Sequence, residues 1–227
     1  MLAGVSTAAL RARLLAPDEV AIATARAWLG SRIVPTPASQ PDDLVIAVTS
    51  CRDGVSGLVS QQWAQEPYDC PRLVLALDLD DAVIDLTELE AMCRRALDSE
   101  VLARWLPVLH DDESVIGTLD LLCEDVEAQV NGTVTCQPAD AGHRAVAAEF
   151  IDEARTLVAT GATTDLFDAF VDDAPITCEQ WNAAFVGQVR DTTLFPLLAT
   201  SPEAVSRGHL DSLLAALTAS AVGTADD

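Results

Sequence analysis

Carboxylates are the side chains with most chemistry to offer in this chain. The apolar run L-V-L-A-L at residues 73–77 leads straight into Asp78, Asp80 and Asp81. Three acids in four positions at a strand end can accept hydrogen bonds from a ligand's N–H groups or meet a cationic partner, and they repel phosphate. A second set, Glu149, Asp152 and Glu153, falls at i, i+3 and i+4, so three carboxylates share one helix face. That face reads either as ordinary solvated surface or as a docking face for a basic protein partner. His110, His143 and His209 lie far apart and show no metal-ligand spacing, so they read as surface or hydrogen-bonded histidines. The six cysteines (Cys51, Cys70, Cys93, Cys123, Cys136, Cys178) contain no C-x-x-C pair. They read as reduced, mostly buried thiols, and neither a disulfide frame nor a zinc site is expected. No nucleophile and base stand in a triad-like arrangement.

The basic side chains narrow the choice further. All 13 are arginine; the chain has no lysine. A phosphate-binding loop of the form G-x-x-x-x-G-K-[ST] needs lysine's compact charge beside the β- and γ-phosphates, and a broad guanidinium is a poor substitute. Gly4 and Gly30 stand alone, so no glycine-rich loop can aim several N–H groups at an anion. The net charge of -23 argues against nucleic acid and favours a partner with a basic face. No apolar run reaches the roughly 18 residues of a membrane helix. Arg11 and Arg13 interrupt the place where an export signal would be apolar, so a cytoplasmic location is expected.

These residues must be positioned by an α/β framework. Residues 5–15 and 18–29 read as two helices, followed by a connector with Pro35, Pro37 and Pro41. Residues 44–48 and 73–77 read as buried strands, and 58–65 and 87–97 as helices. Strand, helix, strand, helix implies a mostly parallel sheet flanked by helices. The middle changes character: 105–109 and 115–122 read as strands, and 126–130 with 133–137 as a hairpin around Asn131-Gly132. Helices follow at 145–159, 165–171 and 177–189, then a buried strand at 194–199 and a helix at 208–219. The expected organisation is an N-terminal helical segment (1–42), a core from 43–104 and 190–227, and an α+β insertion (105–189).

The wording of these segments resembles the nucleotide-binding domain of elongation factor G and elongation-factor-G-like proteins, including the inserted G′ subdomain. LVIAVTSCRDGV at 44–55 is similar to the family's strand ending in V-S-A-x-D-G-V. PRLVLALDLD at 71–80 is similar to the strand running into N-K-x-D. Leu106-Pro107 with VIGTLDLL at 115–122 resembles the start of the insertion, and EFIDEAR at 149–155 a helix within it. TLFPLLATS at 193–201 resembles the last strand, which ends in the guanine-touching S-A element. The likeness runs from about residue 43 to residue 219.

The resemblance implies a reduced P-loop-GTPase-like fold whose phosphate machinery is gone. Before Leu44 there is neither G-x-x-x-x-G-K nor D-x-x-G. In the guanine motif, Leu77 takes the asparagine's place and Asp78 the lysine's, while Asp80 keeps the aspartate. Asp80 therefore either still reads guanine or is a leftover acid at a strand end; the second is preferred, because phosphate contacts supply most of the affinity. Ser201 survives from the last element, but Pro202 after it has no N–H to offer. The expected protein is a pseudo-GTPase that acts by protein contact, with no cofactor. The resemblance implies a ribosomal stalk protein or a translation factor as partner, docked on the Glu149, Asp152 and Glu153 face. The alternative is weak guanine-nucleotide binding through Asp80 and Ser201, with GTP or GDP and Mg held only if a partner completes the phosphate site.

Overall fold

The structure, a computed structural model, describes residues 9–37, 40–110, 114–201 and 203–219. Residues 111–113, Pro202 and the last residues of the chain lie outside this set. The fold is α/β. Six strands, β1 (Leu10–Leu15), β2 (Ile33–Pro35), β3 (Leu44–Ser50), β4 (Arg72–Leu77), β5 (Val101–Leu102) and β10 (Phe195–Ala199), form one sheet. Its order is β2-β1-β3-β4-β10-β5, and every pairing is parallel.

The inner strands read as apolar runs because both faces of a parallel sheet are covered. All of β4 is buried, and all of β3 except Ser50. Helices α1 (Glu19–Leu29), α2 (Gly57–Gln65), α3 (Leu86–Ala96) and α7 (Glu203–Ala219) flank the sheet. Arg72, the first residue of β4, puts a cation into the core with 0% exposure. Its guanidinium lies 3.7 Å from the Tyr68 ring centroid and 4.9 Å from that of Trp63, and it donates to the Trp63 and Glu66 carbonyls. Ring faces and carbonyl oxygens replace the water that a buried cation would otherwise lose.

The N-terminal segment corrects the sequence reading. Residues 10–15 are not helical: they form β1, inserted between β2 and β3. Leu10, Ala12 and Leu14 alternate with Arg11 and Arg13, with Ala12 buried and Arg13 exposed, and Leu15 at the strand's end is buried as well. The arginines face acids of the adjoining chain: Arg11 pairs with Asp43, and Arg13 with Asp42 and Glu66. Non-local pairing overrides a weak helical preference. The segment before residue 43 is thus part of the sheet, not a separate helical cover, and of its expected helices only α1 forms. The short β5, paired with the end of β10, has no counterpart among the expected strands.

The middle of the chain forms a second, antiparallel sheet in the order β6-β7-β8-β9, from β6 (Trp105–Leu109), β7 (Val115–Asp120), β8 (Asp125–Val130) and β9 (Thr133–Pro138). Asn131 (φ 51°) and Gly132 (φ 79°) both take the left-handed conformation, as a type I′ hairpin turn requires. Helices α4 (Ala141–Thr160), α5 (Thr164–Val171) and α6 (Cys178–Arg190) complete this part. Among the described residues no helix is long and apolar enough to cross a membrane.

The cysteines also depart from expectation. Cys123, in the turn between β7 and β8, is bonded to Cys178, the first residue of α6. Their sequence separation of 55 residues hides the pairing. Cys51, Cys70 and Cys93 are buried free thiols, and Cys136 is an exposed one.

Candidate functional site

In an open parallel sheet, ligands bind beyond the C-terminal strand ends, where the chain switches from building one side of the sheet to building the other. Here β1 is followed by β2 on one side and β3 on the other, so the switch lies between β1 and β3. A cavity of about 280 Å³ sits there. Pro17 and Asp18 follow β1; Ser50, Asp53 and Gly54 come from the end of β3; Leu77 and Asp78 come from the end of β4.

Its walls suit no anion. Asp18, Asp53 and Asp78 all line the cavity, and none of the described lining residues is a cation. The N-terminus of α1 opens here, and helix N-termini attract phosphate because their N–H groups lack helical partners. That position is already filled: Asp18 is the N-cap, and its carboxylate accepts from the Ala21 N–H at 2.8 Å. Across the crevice, Ser50 Oγ donates to Asp78 Oδ2 at 2.8 Å and accepts from the Arg52 N–H at 3.0 Å. Asp78 sits at φ 60°, the left-handed region that non-glycine residues seldom enter. Gly54 sits at φ 76°, where an L side chain is strained, and a Cβ there would also push against the end of the Met92 side chain. Cys51, buried behind this turn, has its thiol pushed up to about 12 by burial and by the nearby charges of Asp78 and Asp85.

Asp80 and Ser201, paired from the sequence, do meet. Ser201 Oγ donates to Asp80 Oδ1 at 2.5 Å across 121 residues of chain. Asp80 stands exposed in a single 3-10 turn (Leu79–Asp81), while Ser201 is buried. Trp28 of α1 fixes the same corner by donating its indole N–H to the Thr200 carbonyl at 3.1 Å. Neither Asp80 nor Ser201 is among the residues lining the cavity.

Glu149, Asp152 and Glu153 lie on the exposed side of α4 as their spacing predicts. They are not equivalent. Glu153 is engaged by the Arg94 guanidinium of α3, which also holds Glu90. Glu149 and Asp152 enter none of the described ion pairs.

A third polar cluster escaped the sequence reading. Arg104 and Asp120, both buried, form a two-point ion pair (3.0 and 2.6 Å) between the residue just before β6 and the end of β7. Arg104 Nη2 also donates to Asn182 Oδ1 of α6 at 2.5 Å. Beside them His209 of α7 stacks on Trp105, with ring centroids 4.5 Å apart, and bonds Thr118 Oγ1 at 2.8 Å. Burial lowers the His209 imidazole from its ordinary value to about 4, so it is neutral at pH 7. These residues share a cleft of about 320 Å³ with Glu127. Sequence separations of 16 to 91 residues carried no signal for this grouping. His143 instead sits in the first turn of α4, where its backbone N–H donates to the Asp140 cap at 2.8 Å. No group of described residues has the make-up of a metal site.

No family model and no curated protein matches the chain. A solved structure does: the crystal structure of ttk003000868 from Thermus thermophilus superposes with a TM-score of 0.63 at 22% sequence identity. The match covers 77% of this chain and 26% of the Thermus chain, so this protein spans about a quarter of that length. At such identity the likeness shows a shared fold.

Proposed function

We propose that this chain is a degenerate translational-GTPase-like domain, related to elongation factor G, that acts through protein contact without hydrolysing GTP. The carrying observation is the switch-point crevice. Where a nucleotide's phosphates would meet a helix N-terminus, the chain puts its own Asp18 carboxylate, with two further acids and no cation among the described lining residues. A triphosphate there would face like charge from three exposed carboxylates, a repulsion that is strongest at low salt. The absence of lysine points the same way.

The partner this reading favours is a protein with a basic face, a ribosomal stalk protein or a translation factor. Glu149 and Asp152 on α4 are the carboxylates best placed to meet it; Glu153 already serves Arg94. The test is co-sedimentation with ribosomes at low salt, comparing the native chain with the Glu149→Lys/Asp152→Lys double variant. Loss of ribosome association in the variant supports the reading. Equal association of the two sinks the α4 docking face, and no association of either sinks the ribosomal partner.

The Asp80–Ser201 contact favours one second reading: a residual guanine site whose phosphate contacts a partner completes. Its carboxylate and hydroxyl are together where a base edge would be read. A fluorescent GDP analogue, titrated into the chain with and without ribosomes, separates the two. Binding that appears only with ribosomes and vanishes in Asp80→Ala would favour this second reading.

A further inference from the structure

The Cys123–Cys178 bond has the setting of an exchangeable site. Cys178 is exposed at the first position of α6, beside its cap Thr177, while Cys123 is half-buried in the β7–β8 turn. The two sulfurs therefore differ in access: an incoming thiolate reaches Cys178 first. They differ in surroundings too. Arg104 Nη2 stands 3.5 Å from Cys123 Sγ. The Asn182 amide lies 3.3 Å from Cys178 Sγ and 3.8 Å from Cys123 Sγ. A sulfur leaving as thiolate from position 123 departs beside a guanidinium, which speeds its departure. Asp120, Asp125 and Glu127 also line this cleft, and Arg104 is what offsets them locally.

We propose that Cys123–Cys178 is a thiol-exchange site that takes a small thiol of the glutathione class at Cys178 and, on reduction, loosens the tie between the β7–β8 turn and the first turn of α6, while the Arg104–Asn182 bond and the buried Phe185 keep the helix in place. The thiolate RS⁻ attacks Cys178 Sγ, forming an R–S–S–Cys178 mixed disulfide. The Cys123–Cys178 bond breaks, and its electron pair leaves on Cys123 as thiolate. A second RS⁻ attacks the R sulfur, freeing Cys178 and forming RSSR. Two thiols are oxidised, one protein disulfide is reduced, and the two protons of the reagent thiols end on the cysteines or in solvent according to pH.

The remaining cysteines leave this site alone in its response. Burial pushes Cys93 and Cys51 up to about 12 and Cys70 up to about 11, so their thiolates are scarce. Cys136 is exposed, but partial burial and the charges of Asp125, Glu127 and Asp120 raise it as well.

The test uses the full chain carrying Cys136→Ser, equilibrated at pH 7 in stepped ratios of reduced to oxidised glutathione. Acid quenching, alkylation and peptide mass spectrometry then assign each sulfur. The expected result is a glutathione adduct on Cys178, with Cys123 alkylated in the same molecules. Hydrogen exchange of fully reduced protein should speed at least about tenfold at residues 118–124 and 178–186. An adduct on Cys123 overturns the assignment. So does a pair that stays oxidised at about 10 mM reduced glutathione, which is the behaviour of a purely structural bond. Neither measurement requires either of the paired cysteines to be replaced, so a folding defect cannot blur the outcome.

Discussion

Asp18 caps α1 and, on the proposed reading, stands where a phosphate would otherwise meet the helix N-terminus. Its removal should therefore have two effects of unequal size. Asp18→Ala loses the bond to the Ala21 N–H and is expected to cost about 1 kcal/mol in urea denaturation. It should not create phosphate affinity, because Asp53 and Asp78 remain and no cation arrives. His209 gives a pH signature. Its folded-state value of about 4 lies below the ordinary 6.5, so the unfolded chain binds the extra proton between those values. Stability is then full above pH 6.5 and falls as the pH drops toward 4, by up to about 1.4 kcal/mol per pH unit from this group. Denaturation midpoints measured from pH 7.5 to 4.5 should drop less steeply in His209→Phe, which can keep the stack on Trp105. An identical slope in both proteins would show that His209 is not the titrating group.

At the scale of elements, legibility follows the range of the forces involved. Strands β3 and β4 are readable because both faces are buried, so composition alone marks them. The β8–β9 hairpin is readable because Asn131-Gly132 is nearly a chemical requirement of its turn. Strand β1 is not, since only its neighbours β2 and β3 make residues 10–15 extended; the alternation of Leu10, Ala12 and Leu14 with two arginines is the available clue. Without β1 the crevice between β1 and β3 stays hidden, even though Asp78 stands out in the sequence. The Asp80–Ser201 pair is legible through resemblance, whereas the Arg104–Asp120–His209 cluster is not legible at all. Two glycines test the backbone argument. Gly132 and Gly57 both have open space where a Cβ would go, but only Gly132 has positive φ. Gly132→Ala is expected to destabilise by about 1 kcal/mol through conformation alone. Gly57→Ala, at the start of α2, is expected to be neutral or slightly stabilising. Thermal unfolding of the two variants, side by side, decides it.

For the whole molecule, connectivity and charge matter most. The Cys123–Cys178 bond closes a loop of 55 residues' separation, which constrains the unfolded chain. Such bonds contribute about 2–4 kcal/mol. Reduction should then lower the melting temperature by roughly 5–15 °C for a chain of this size. Calorimetry with and without a reductant, in the Cys136→Ser background, reads this directly, and an unchanged midpoint would remove the stabilising role. The net charge of -23 sets the character of any association. Contacts with a basic partner should weaken steeply between low and physiological salt, because exposed charges are screened beyond about 8 Å at physiological ionic strength.

On the proposed function, the switch-point crevice does not hold a nucleotide's phosphates. Isothermal calorimetry of the full chain with GTP and Mg²⁺ at low salt, where electrostatic binding is strongest, tests it most directly. No saturable heat is expected up to about 1 mM nucleotide. A saturable signal with micromolar affinity, lost when the triphosphate is replaced by guanosine, would contradict it.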